Sequence, residues 1–192
     1  MGWPICGANP RGEGAYVIFS ETALAGAFVI ELEKRVDERG FFARTYCQRE
    51  FAAQGLVQTN SQCNIAYNKS AGTLRGMHWR EQPMPEAKLV RVVRGAILDV
   101  IVDLRPNSAT YLQHVTVELK SDNYRALYIP GMFAHGFQTL EDETEVFYHM
   151  SEFYQPQYDR AARWNDPAFG IRWPMHNPIL NDRDRGYSDF VP

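Results

Sequence analysis

Cysteine is scarce in this chain. The three present, Cys6, Cys47 and Cys63, form no C-x-x-C pair and no even set. Neither a disulfide framework nor a thiolate metal knuckle is expected, and reduced thiols in a cytoplasmic compartment are. Long apolar runs are missing, and none approaches the ~20 residues of a membrane-spanning helix. The opening residues, MGWPICGANPRGEGAY, show no basic segment followed by an apolar run, so no secretory leader is expected. Gly2 is followed at position 6 by Cys rather than Ser or Thr, which argues against myristoylation. Excess positive charge is absent too: the net charge is −3, giving no case for nucleic-acid binding. There is no internal repeat or linker. The 192 residues suit a single domain, with 1–15 as a loose Gly- and Pro-rich lead-in and 156–192 as an outer wrap.

What is there is a series of short apolar runs punctuated by turns. The stretch 72–105 (GTLRGMHWREQPMPEAKLVRVVRGAILDVIVDLR) organises the rest. A short run carries Arg75 and His78, and a Pro-rich loop follows at 82–85. Two β-rich runs come next, 88–94 and 96–104, broken at Gly95. In the second, Leu98, Val100, Val102 and Leu104 share one face, and Ile97, Asp99, Ile101 and Asp103 the other. Further strands are expected over 27–32, 41–46, 58–67, 111–119, 125–129, 136–140 and 145–151. A helix is expected over 49–55, stopped by Gly55. Many short strands with little helix predict an all-β sandwich or barrel with a loop-rich C-terminal segment.

The charged groups in the organising stretch need a reason. A core strand has no use for an Arg, a His, a Lys and an Asp unless they pair or face a cavity. A lone strand His is ordinarily a satisfied structural residue. His78 is singled out by its company, Arg75 and Lys88, expected on adjacent strands. In a regular strand positions 75 and 78 point to opposite faces, so a bulge at Gly76 is expected to bring both into one cavity. Cupins, which are double-sheet jelly rolls, bind metal with a second His two residues after the first. Here position 80 is Arg, which cannot ligate and repels a cation, so no metal is expected. The segment Pro130-Gly131-Met132-Phe133-Ala134-His135 is similar to the second cupin segment. Taken alone, Tyr148 reads as a rim aromatic, and Asp182-Arg183-Asp184-Arg185 as a solvated charged patch.

Taken together, the segments resemble one family. They are Asp37-Glu38-Arg39-Gly40-Phe41-Phe42, Leu74-Arg75-Gly76-Met77-His78, Lys88-Leu89-Val90-Arg91 through Asp99 to Arg105, and Ile129-Pro130 with Phe133 to Phe137. Phe147-Tyr148, Trp164-Asn165-Asp166-Pro167, Trp173-Pro174 and Ile179-Leu180 ahead of Asp184 follow in order. The chain is identified by these as similar to the dTDP-4-dehydrorhamnose 3,5-epimerases and relatives acting on nucleotide-linked 4-keto sugars. That resemblance implies a cupin-like double-sheet jelly roll with short helices. It implies a base at His78 with Asp184 as its partner, an enolate-stabilising cation at Lys88, and an opposite-face acid at Tyr148. It further implies that Arg75 and Arg39 serve the diphosphate, and that Phe42, Asn64, His135 and Asp99 line the substrate site. No cofactor is expected. A homodimer is, with the N-terminal segment bearing Arg39 exchanged into the neighbouring site.

The chain also departs from the family pattern. Ala43-Arg44 stands where an aromatic and a Glu are usual, Cys63, Ile65 and Ala66 interrupt a Gln-Asp-Asn-His-Ser stretch, His149 replaces a Lys and Phe153 a Tyr. These positions belong to the nucleotide- and sugar-reading shell. The readings left open at this point are an epimerase of one carbon acting on a CDP- or GDP-linked sugar, a 3,4-ketoisomerase, and a sugar-binding cupin without activity.

Overall fold

The structure is a computed structural model that describes residues 16–57 and 59–191. The expectation for residues 1–15, with Gly2 and Cys6, and the position of Gln58 lie outside the described residues. Among the described residues thirteen strands and two short α-helices follow in order: β1 Val17–Glu21, β2 Phe28–Leu32, β3 Arg35–Asp37, β4 Gly40–Phe42, α1 Gln48–Ala53, β5 Gln62–Asn68, β6 Leu74–Arg80 and β7 Lys88–Arg94. Then come β8 Ala96–Asp103, β9 His114–Lys120, β10 Ala126–Ile129, β11 Phe133–Thr139, β12 Thr144–Met150, β13 Asp159–Ala161 and α2 Asp182–Arg185. Ten of the pairings between them are antiparallel ladders in three sheets. One sheet is ordered β1-β2-β10-β7-β12-β5, a second β13-β6-β11-β8-β9, and β3-β4 is a hairpin by itself.

The two large sheets face each other across a shared apolar layer. It takes Val90 and Val92 from β7, Ile97 and Ile101 from β8, Leu127 and Ile129 from β10, and Phe133 and Phe137 from β11. Alternation along each strand sends every second side chain into this layer. The outer face of the first sheet is covered by α1, whose Phe51 packs with Ile30, Leu89 and Tyr128. The outer face of the second sheet is covered by the C-terminal segment, where Phe169 and Trp173 pack on Leu74, Met77, Val100 and Val102. Both faces of β8 are therefore apolar contacts, which is why its sequence is a nearly continuous apolar run. This is the double-sheet all-β architecture expected from the sequence.

Several boundaries differ. β1 was not expected: Val17 and Phe19 pack with Phe28 and Phe51, and one edge of the first sheet is built from it. Residues 43–46, expected as strand, are irregular, and β4 stops at Phe42. Residues 111–113 form a turn in which Leu112 has φ 62°, so β9 begins at His114. β11 starts earlier, at Phe133, and β13 is a strand inside what was expected to be a purely looped and helical tail. The helix ends as expected. Gly55 has φ +71°, and the Leu56 N–H donates to the Phe51 carbonyl at 3.0 Å.

Candidate active site

Between the sheets, at one end, lies a cavity of about 280 Å³ lined by both. The second sheet contributes Arg75 and His78 from β6 and His135 from β11. The first contributes Lys88 from β7 and Tyr148 from β12, and α2 closes a side with Asp184. Arg75 and Lys88 thus do not sit on adjacent strands. They belong to different sheets and meet across the gap, because β6 crosses to β7 through the loop that carries Pro83 and Pro85.

The bulge at Gly76 is present. In the β6–β11 ladder His135 faces His78 and Phe137 faces Arg75, so Gly76 and Met77 together oppose the single residue Gly136. That extra residue restores Arg75 and His78 to one side. Gly76 has φ +139°, and a Cβ there would lie 2.5 Å from the Gly136 Cα, so the position admits no side chain.

His78 Nε2 lies 2.8 Å from Asp184 Oδ1. Asp184 is only 2 % exposed, although its sequence neighbours Asp182, Arg183 and Arg185 are exposed. The Asn181 side chain caps α2 by accepting from the Asp184 N–H at 2.6 Å, and this turn aims the carboxylate inward. With Nε2–H donating to the carboxylate, Nδ1 is left as the free lone pair of a neutral imidazole. A second pair stands beside the first. His135 Nε2 lies 2.6 Å from Asp99 Oδ1, and Asp99 is fully buried behind it on β8.

The opposite wall is a phenol and an ammonium group. Burial pushes the Tyr148 phenol above its ordinary value, Arg75 pulls the other way, and the Glu86 charge adds to the upward shift. At neutral pH Tyr148 is therefore a proton donor. Lys88 is mostly buried and lies 3.3 Å from Glu86. Arg75 donates to the Asn68 side chain at 2.9 Å and has no carboxylate within ion-pairing distance among the described residues. Its guanidinium is thus available to an anion at the cavity.

Four residues from the sequence reading do not line this cavity within one chain: Asp99, which stands behind His135, and Asn64, Arg39 and Phe42. Asn64, on β5, donates to the Met150 sulfur at 2.9 Å, one step behind the wall that Met150 forms. Arg39 and Phe42 sit on the β3–β4 hairpin, with the Arg39 side chain 78 % exposed and bound to Asp37. Conversely, sequence reasoning missed Glu86, Asp159 and Arg183, which also line the cavity. For Glu86 a signal existed, an acid between the two cations Arg80 and Lys88. Arg80 itself faces Glu86 and Asp159 rather than a metal position. Among the described residues, no group of three His, Cys, Asp or Glu side chains is disposed to hold a metal ion. No described helix is long and apolar enough to cross a membrane.

The arrangement offers a base backed by a buried carboxylate on one wall, and a protonated acid and a cation on the other. It suits removal of a proton from one face of a carbon and delivery to the opposite face. Comparison with known proteins gives the same direction. The family model for dTDP-4-dehydrorhamnose 3,5-epimerase matches residues 21–191. The dTDP-4-dehydrorhamnose 3,5-epimerase of Methanothermobacter thermautotrophicus is 43 % identical over 176 residues, covering 88 % of this chain and 92 % of that protein. The Pseudomonas aeruginosa enzyme is 41 % identical over 175 residues, covering 88 % and 95 %. The crystal structure of the Bacillus anthracis dTDP-4-dehydrorhamnose 3,5-epimerase with TDP and PPi bound superposes with a TM-score of 0.87 at 39 % identity, covering 91 % of this chain and 100 % of that one.

Proposed function

This chain belongs to the dTDP-4-dehydrorhamnose 3,5-epimerase family, and we propose that it inverts carbons 3 and 5 of a dTDP-linked 4-keto-6-deoxy sugar through an enolate. The observation that carries this reading is the pairing of walls: His78 on one sheet, backed by Asp184 from α2, and a phenol with an ammonium on the other sheet, across one cavity. The ketone at carbon 4 acidifies the hydrogens on its two neighbours. His78 removes one of them, and Asp184 steadies the imidazolium that forms. Lys88 stabilises the developing negative oxygen with a charge already in place. Tyr148 then protonates the carbon from the far side. Arg75 holds the diphosphate, and His135, backed by Asp99, lines the sugar end. Only protons move, so the chemistry asks for no redox partner.

The relatives named above are 3,5-epimerases, which favours inversion at both carbons over the single-carbon, ketoisomerase and binding-only readings. We propose in addition that two copies pair in the cytoplasm, each lending its β3–β4 hairpin to the other's cavity. Support comes from the hairpin itself. It joins neither large sheet, and it carries Val36, Phe42 and Arg39 largely exposed. The activity is tested by incubating the protein in deuterated water with dTDP-, CDP- and GDP-linked 4-keto-6-deoxy hexoses, followed by NMR. Deuterium at carbons 3 and 5 with inversion on the dTDP sugar is expected. Absence of exchange on every sugar would remove the proposal.

A further inference from the structure

Behind Lys88 runs a chain of buried charge that the reaction scheme does not use. Lys88 Nζ lies 3.3 Å from one Glu86 oxygen, and the Arg80 guanidinium lies 3.1 Å from the other. Arg80 is held in turn by Asp159 at 3.5 Å and by donation to the Phe153 carbonyl at 3.0 Å. The side chains of Arg80 and Glu86 are each 3 % exposed, and that of Lys88 15 %. Two cations and two carboxylates thus alternate along the cavity lining, from Asp159 on β13 and Arg80 on β6 of the second sheet to Glu86 and then Lys88 on β7 of the first.

We infer that Glu86 is a positioning residue for the epimerisation, holding the Lys88 ammonium group toward the substrate carbonyl, with Arg80 as the brace that keeps Glu86 from turning to the substrate itself. The inference rests on the role given to Lys88 above. Lysine is a point charge on a flexible four-carbon stem, so an unsupported ammonium would sample many positions. Stabilising an enolate requires the charge to be in place before the proton leaves. An ammonium carries three N–H donors, so the ion pair with Glu86 at 3.3 Å leaves donors for a ligand in the cavity that Lys88 lines. Because Glu86 divides its charge between Lys88 and Arg80, it orients the ammonium without cancelling it. A purely structural reading, in which Arg80–Glu86 merely ties β6 to the loop before β7, does not require Glu86 to touch Lys88.

The test is a double-mutant cycle on deuterium exchange and turnover, using Glu86→Gln, Lys88→Met and the two combined. Lys88→Met is expected to slow exchange at both carbons. Glu86→Gln alone is expected to lower kcat about ten- to a hundredfold with KM changed by less than about threefold. In the Lys88→Met background, Glu86→Gln should then cost less than about twofold, because the group it positions is gone. An equal loss in both backgrounds would make Glu86 a wall residue and overturn the inference, as would an unchanged kcat in Glu86→Gln. Lys88→Met at the wild-type rate would instead remove the Lys88 role, and this inference with it. Glu86→Gln strands the Arg80 charge in a buried site, which is a route to misfolding. If it does not fold, Arg80→Gln combined with Glu86→Gln leaves two neutral amides in the wall, and the same cycle with the same outcomes applies.

Discussion

His78 and Asp184 are 106 positions apart in sequence and 2.8 Å apart in space. Replacing His78 by Asn should lower exchange at both carbons by about 10²–10⁴-fold, the usual span of a general base. Asp184→Asn should cost less, because it removes orientation and charge support while leaving the imidazole. Solvent exchange followed by NMR on folded variants checks both, and wild-type-like exchange in His78→Asn would refute the assignment. The raised phenol of Tyr148 has a consequence for pH. Its protonated form persists to higher pH than that of a free tyrosine, so inversion should hold past pH ~10, where an ordinary phenol has begun to ionise. A pH profile with its alkaline limb below that value would contradict the environment described here. Asp184 shows how far residue-level reading goes. In composition it is one of four alternating charges and reads as solvated surface. Its burial comes from the Asn181 cap and the packing of α2, which spacing alone does not reveal.

At the scale of elements, two sites test why these strands sit as they do. Gly76→Ala would place a Cβ against the Gly136 backbone at a φ that disfavours any side chain, and should destabilise by about 2–4 kcal/mol. A thermal melt reads this directly, with activity falling because the bulge that sets Arg75 beside His78 is lost. The end of β8 is tied by Asp103. Burial works against its charge, but hydrogen bonds from Arg105, Ser108 and Thr110 outweigh that and hold its carboxyl well below the usual range. Its stabilisation is therefore fully present above pH ~4 and is lost as pH falls below that. Asp103→Asn should reduce stability by about 2–4 kcal/mol at neutral pH, with a smaller deficit in acid, as denaturant curves at both pH values would show. The bulge and the two runs broken at Gly95 were legible because glycine and periodicity mark them. β1 and β13 were not. β1 follows directly on the Gly- and Pro-rich lead-in and its five residues merge with it, and β13 is three residues long and reads as loop until β6 pairs with it.

At the scale of the molecule, the chemistry depends on two sheets meeting. Sequence order suggested that Arg75 and Lys88 are neighbours in one sheet, whereas the loop between them carries the chain across to the other. Local pattern specifies a strand and its faces, but not which sheet takes it, because that is decided by long-range pairing. The proposed dimer belongs at this scale. Arg39→Ala should weaken nucleotide-sugar binding without unfolding a chain whose Arg39 is 78 % exposed, and light scattering should give twice the 22.0 kDa chain mass. A fully active monomer would contradict it. The claim that base and acid act from opposite walls is tested most directly by Tyr148→Phe, which keeps the ring and its packing. Deuterium incorporation and product stereochemistry are followed together in deuterated water. His78 can return a deuteron to the face it took the proton from, so label should still accumulate in the variant while inversion falls. Parallel loss of exchange and inversion at both carbons, or no change in either, would contradict the account.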